Sequence, residues 1–72
     1  MKPIKIKTEY ITLGQLLKIE NIVQSGGETK YFLANNIIYV NNELENRRGK
    51  KLYPNDQIKI GDKEFIIEWL KK

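Results

Sequence analysis

Apolar and polar residues alternate at the start of the chain. Ile4 and Ile6 are interleaved with Lys5 and Lys7, the pattern of a strand with one buried face and one wet, basic face. The period then lengthens. Leu13, Leu16, Leu17, Ile19 and Val23 recur at helical spacing, and Thr12 precedes Gln15 at the spacing of a capping box. This predicts a first helix over Thr12 to Gln24. Gly14 in its first turn costs up to about 1 kcal/mol relative to alanine, or else lets another backbone come close. Ser25 and Glu28 repeat the capping-box spacing, so a second helix is expected directly after a tight turn. Phe32 and Leu33 supply its apolar face, and Ala34 lies near its end. Asn35 and Asn36 are expected to stop it, because asparagine tolerates the left-handed conformation.

The remainder has strand character. Ile37-Ile38-Tyr39-Val40 is β-rich, Asn41-Asn42 reads as a tight turn, and Leu44 continues on the return side. Tyr53-Pro54-Asn55-Asp56 reads as a turn with Pro54 fixing its second position. Asp56 is expected to cap or close it. Gln57 to Ile60 and Glu64 to Leu70 flank Gly61-Asp62-Lys63 as a hairpin, with Phe65, Ile67 and Trp69 on one face and Ile58 and Ile60 able to pair with them. Phe65 and Trp69 are expected in the core. The expected fold class is α+β: two helices packed on a small antiparallel β-sheet, forming one domain over residues 1–72.

Composition narrows the chemistry. The 72 residues hold no cysteine and no histidine, which removes disulfides, thiolate metal sites and the commonest general base. The acidic residues Glu20, Glu43, Glu45, Asp56, Glu64 and Glu68 show no paired spacing of the kind acid–base catalysis needs, and no phosphate-binding loop or nucleophile elbow appears. A non-enzymatic protein is expected, with no cofactor, no metal and no small-molecule substrate. No apolar run approaches the roughly 18 residues of a membrane span. The N-terminal residues Met1 to Lys7 lack the apolar core of a signal peptide, so a cytoplasmic location without membrane contact is expected.

The net charge is +4. Four cations, Arg47, Arg48, Lys50 and Lys51, crowd around Gly49, too costly a group to bury unpaired. They form a candidate polyanion surface, and phosphate oxygens are the commonest such target. A structural reading stands beside it: a solvated loop balanced by Glu43 and Glu45. Ser25, Gly26 and Gly27 at a helix start offer free N–H groups to phosphate, or serve only as a turn and cap.

Beyond these local patterns, Ile11 to Ile60 resembles the S4 RNA-binding domain. Leu13-x-x-Leu16-Leu17, Ser25-Gly26-Gly27, Ile38-Tyr39-Val40-Asn41-Asn42 and Pro54-Asn55-Asp56-Gln57-Ile58 follow one another as the family's elements do. Small stand-alone bacterial members are more similar still, through Glu45-Asn46-Arg47-Arg48-Gly49-Lys50-Lys51-Leu52. The resemblance implies an S4-like fold, binding of structured RNA, ribosomal or transfer RNA, and the ribosome as a partner. Many members place Ser-Arg where this chain has Gly26-Gly27, which leaves Lys30, one turn later, as the replacement for the missing arginine.

The expected RNA-binding residues are Ser25, Gly26, Gly27, Lys30, Asn41, Asn42, Asn46, Arg47, Arg48, Lys50 and Lys51. Turn geometry accounts for Asn41 and Asn42 equally well. Lys18 reads as an ordinary surface lysine. Tyr31, Tyr39 and Tyr53 either stack on bases or pack against the core. The other function class is a protein-interaction module that docks on a ribosomal or replication protein through an exposed strand edge or the Tyr39 face.

Overall fold

The computed structural model describes residues 1–70. In chain order its elements are β1 (Lys2–Ile6), β2 (Ile11–Thr12), α1 (Leu13–Ile19), α2 (Gly26–Asn35), β3 (Ile38–Val40), β4 (Glu43–Leu44), β5 (Lys51–Leu52), β6 (Gln57–Ile60) and β7 (Lys63–Trp69). The class is α+β, as expected from the sequence. Five strands form one sheet in the order β1-β7-β6-β3-β4, and β2 pairs with β5 as a separate ribbon.

The main sheet is mixed rather than antiparallel. β1 lies parallel to β7, with Ile4 opposite Ile67. A parallel pair needs a long crossover connection, and here most of the chain, both helices included, lies between the two strands. The other pairs are antiparallel, Ile38 opposite Ile60 and Ile58 opposite Phe65 among them. The hairpin turns follow the sequence. Asn41 and Asn42 both adopt positive φ, 51° and 69°, which a two-residue turn of the primed type demands. The Tyr53–Asp56 turn has Pro54 at its second position and Asn55 at φ 81° at its third, and the Asp56 N–H donates to the Tyr53 carbonyl at 2.9 Å.

The inward residues of the sheet and the helical leucines make one core. Leu13, Leu16, Leu17, Leu52 and Ile67 are fully buried, joined by Ile4, Ile6, Leu33, Ile38, Val40, Ile58 and Phe65. Each such side chain contributes about 1.5–3 kcal/mol on leaving water.

Four local expectations change. The first helix stops at Ile19, short of Gln24, because Asn21 turns left-handed at φ 58°. The Ile22 N–H then reaches the Leu17 carbonyl at 2.9 Å and the Asn21 N–H reaches that of Lys18 at 3.0 Å, a Schellman closure. The second capping box is half formed. Ser25 Oγ accepts from the Glu28 N–H at 3.3 Å, but the Glu28 carboxylate accepts from the Gln24 N–H at 2.9 Å, one residue beyond the cap. Asn36 ends α2 in extended backbone, at φ −136°. The asparagines act through their side chains instead: Asn35 and Asn36 donate to the carbonyls of Tyr31 and Phe32 at 2.8 and 2.9 Å, satisfying last-turn acceptors. Trp69 is half exposed rather than core. The pairing of β7 with β6 reaches only to Ile66, so Trp69 extends past that neighbour.

Candidate nucleic-acid interface

The basic loop is built onto the start of α1. A helix leaves its first N–H groups without internal partners. Here they are taken one by one. Leu13 donates to the Lys50 carbonyl and Gly14 to the Arg48 carbonyl, both at 2.9 Å. Gln15 donates to Thr12 Oγ1 at 3.2 Å, while Gln15 Oε1 accepts from the Thr12 N–H at 2.7 Å, completing the expected capping box. The Lys50 N–H closes a turn on the Arg47 carbonyl at 3.1 Å. The loop's backbone is thus spent on the helix, which frees its side chains for other work. Gly14 permits the approach: a Cβ there would stand 3.3 Å from the Arg48 carbonyl oxygen and 3.5 Å from Thr29 Cγ2.

Beside this junction lies an open depression of about 300 Å³ lined by Gly14, Gln15, Lys18, Gly26, Arg48 and Gly49. Arg48 also borders a second one, of about 340 Å³, with Lys30, Leu33, Ala34 and Asn46. Arg48 therefore stands between Lys18 on α1 and Lys30 on α2. None of these three cations has an ion pair among the described residues. Neither Gly26 nor Gly49 has a positive φ, and a Cβ at either position would meet nothing within 4 Å. The fold does not require glycine at these two places, so their effect is to leave the groove open to close approach. Ser25, Gly26 and Gly27 form the start of α2, with Ser25 Oγ committed to the cap and the Gly26 and Gly27 N–H groups without a partner among the described residues.

The remaining cluster cations are not equivalent to Arg48. Arg47 is held by Glu45: Nε donates to Oε2 at 2.9 Å, Nη2 to Oε1 at 3.1 Å, and the Arg47 N–H to Oε2 at 3.1 Å. The Glu45 side chain is 9% exposed and that of Arg47 is 72% exposed. These hydrogen bonds lower the Glu45 carboxyl to about 2 and raise the guanidinium above its ordinary value. Lys51 rests its ammonium over the Tyr10 ring, 4.9 Å from the centroid. Lys50 is half-buried.

The asparagines divide as well. Asn46 borders the Lys30–Arg48 depression. Asn41 is occupied by the fold: its amide donates to Asp56 Oδ1 at 3.0 Å and its oxygen accepts from the Gln57 N–H at 2.9 Å. Asn42 lines a different depression, with Tyr39, Gln57 and Lys59. Lys18, which reads from sequence as an ordinary surface lysine, lies in the groove. The signal for it was its position four residues after Gly14, on the same helix face.

Among the described residues no group of three acidic, cysteine or histidine side chains is arranged to hold a metal ion, and no helix is long and apolar enough to cross a membrane.

The family model described as S4 domain matches residues 4–68. A protein of Bacillus subtilis (strain 168) described as "Probable ribosome maturation protein RlbA" is 53% identical over 58 residues, which cover 81% of this chain and 82% of that protein. No solved structure matches the chain. With the family model spanning both helices and nearly the whole sheet, and a small relative aligned over most of its own length, the chain belongs to the S4 domain family.

Proposed function

We propose that this protein is a non-enzymatic RNA-binding module that holds structured ribosomal RNA by its phosphates, in a role connected with ribosome maturation. The observation that carries the reading is the groove: Arg48 between Lys18 and Lys30, all free of ion pairs among the described residues, beside open glycine backbone at Gly26 and Gly49. Cations that have no internal partner attract phosphate and release its counterions. Glycine backbone lets a sugar–phosphate chain come near the start of α2, where helix N–H groups favour anions. Membership of the S4 family and the name of the Bacillus relative support RNA and the ribosome as the setting. Arg48, Lys18 and Lys30 make the primary contacts, with Asn46, Lys50 and the outer part of Arg47 at the margin. Recognition is by shape and backbone.

The test is crosslinking and sequencing of RNA bound to the protein in its native cells, beside a Lys18→Ala/Arg48→Ala variant shown to be folded. Enrichment of one ribosomal RNA region that the variant loses supports the assignment. Equal recovery with both proteins overturns it.

A second reading, a protein-docking module, is favoured by one feature. Leu44 on the edge strand β4 is 70% exposed, and it lines a depression with the 64% exposed Ile37. Salt-insensitive binding to a protein partner, with no RNA retained on purification, distinguishes that reading.

A further inference from the structure

The ribbon of β2 and β5 carries a side-chain cluster separate from the groove's cations. Lys51 and Tyr53 flank Leu52, which is fully buried, so strand alternation sends both to the opposite side. One step beyond the Ile11–Leu52 pair, Tyr10 lies across from Tyr53. The two rings are 5.6 Å apart at their centroids and tilted by 49°, a favourable aromatic pairing. The Lys51 ammonium over Tyr10, at 4.9 Å, is within cation–π range.

Tyr53 is nonetheless 42% exposed, and its backbone is fixed. Its N–H donates to Asp56 Oδ2 at 2.8 Å and its carbonyl accepts from the Asp56 N–H at 2.9 Å. An aromatic ring is therefore held partly in solvent, on a rigid turn, with a cation beside it. The cluster also adjoins the groove. Thr12 lines the groove with Gly14 and Arg48, and it pairs with Lys51 across the ribbon.

We propose that Tyr53, braced by Tyr10, is a stacking platform for one unpaired nucleobase, and that Lys51 takes the phosphate next to it. The proposal rests on the RNA-binding reading above and adds a preference to it: RNA with an unpaired nucleotide beside the helical part held in the groove. Bases inside a helix present no face to stack on, whereas unpaired bases do, and an aromatic side chain accepts any of them.

Two probe RNAs test it. One is a hairpin whose unpaired loop carries 2-aminopurine, and the other is a blunt duplex with the hairpin's stem sequence. Tyr53→Ala is expected to weaken hairpin binding by about 5- to 150-fold while changing duplex binding by less than about twofold. Tyr53→Phe, which keeps the ring, retains wild-type affinity for both. The 2-aminopurine fluorescence is quenched by wild type and by Tyr53→Phe but not by Tyr53→Ala. Equal losses on hairpin and duplex reduce Tyr53 to a structural residue and overturn the platform. Unchanged hairpin binding by Tyr53→Ala overturns the platform and leaves the groove standing. Wild-type protein that binds neither RNA removes the groove reading and the platform with it.

Discussion

The Gly14 N–H and the Arg48 carbonyl are joined at 2.9 Å, so the first turn of α1 and the basic loop are one unit. A Cβ at position 14 would stand 3.3 Å from that same oxygen. Two effects compete in Gly14→Ala. The helix gains up to about 1 kcal/mol of propensity, and the loop must yield by a few tenths of an ångström, so the net change stays within about 1 kcal/mol. Gly14→Val adds bulk that the contact has no room for and is expected to cost about 1–3 kcal/mol. Urea midpoints read the stability, and RNA affinity of the folded Val variant reads the loop: it falls if Arg48 is displaced.

Arg47 and Arg48 are neighbours in sequence with different duties. Each phosphate contact contributes about one unit to the log–log salt dependence of binding, so Arg48→Ala is expected to flatten that slope by about one. Arg47→Ala, whose guanidinium is largely engaged by Glu45, is expected to change the slope by less. Titration of binding at several salt concentrations separates them. Equal slopes for the two variants contradict the division.

The Glu45 carboxyl is lowered in the folded protein to about 2 from 4.5, chiefly by the Arg47 hydrogen bonds. A depressed carboxyl adds stability above its unfolded value that fades as the pH falls through the folded one. The contribution is therefore complete above about pH 4.5 and is lost toward pH 2. Glu45→Gln removes it, so wild type and variant are expected to converge in stability across that window and to differ above it. Denaturation curves at a series of acid pH values provide the check.

Asn41 and Asn42 both have positive φ, yet only Asn41 has two side-chain hydrogen bonds to the Asp56–Gln57 segment. Asn42→Gly is expected to be neutral within about 0.5 kcal/mol, because glycine adopts the same positive φ without steric cost and no side-chain bond is lost. Asn41→Gly keeps the backbone conformation but loses both bonds, at about 0.5–1.5 kcal/mol each. Thermal or urea unfolding of the pair distinguishes turn geometry from side-chain bonding.

Ser25 caps α2 through the Glu28 N–H. Ser25→Ala is expected to destabilise the protein by about 1 kcal/mol, and Ser25→Gly by a few tenths. A much larger loss from the glycine variant, measured by unfolding, would show that the hydroxyl does more than cap.

By itself the sequence determined what depends on neighbours a few residues apart. The alternation of Ile4 and Ile6, the Thr12–Gln15 box, the paired asparagines and the Pro54 turn all act over short range, and each stands in the structure as read. The motif run from Glu45 to Leu52 was legible as a family signature for the same reason. Tertiary structure decided the rest. Whether β1 pairs parallel to β7 depends on where the two ends of the chain meet. The early end of α1 rests on Asn21 taking a left-handed conformation that sequence permits but does not require. Above all, four adjacent cations look alike as letters. Folding gives each a different setting: Glu45 beside Arg47, partial burial for Lys50, the Tyr10–Tyr53 pair beside Lys51, and an open groove with Lys18 and Lys30 for Arg48. Charge is written locally, but whether a charge is free to meet a ligand depends on its neighbours in space.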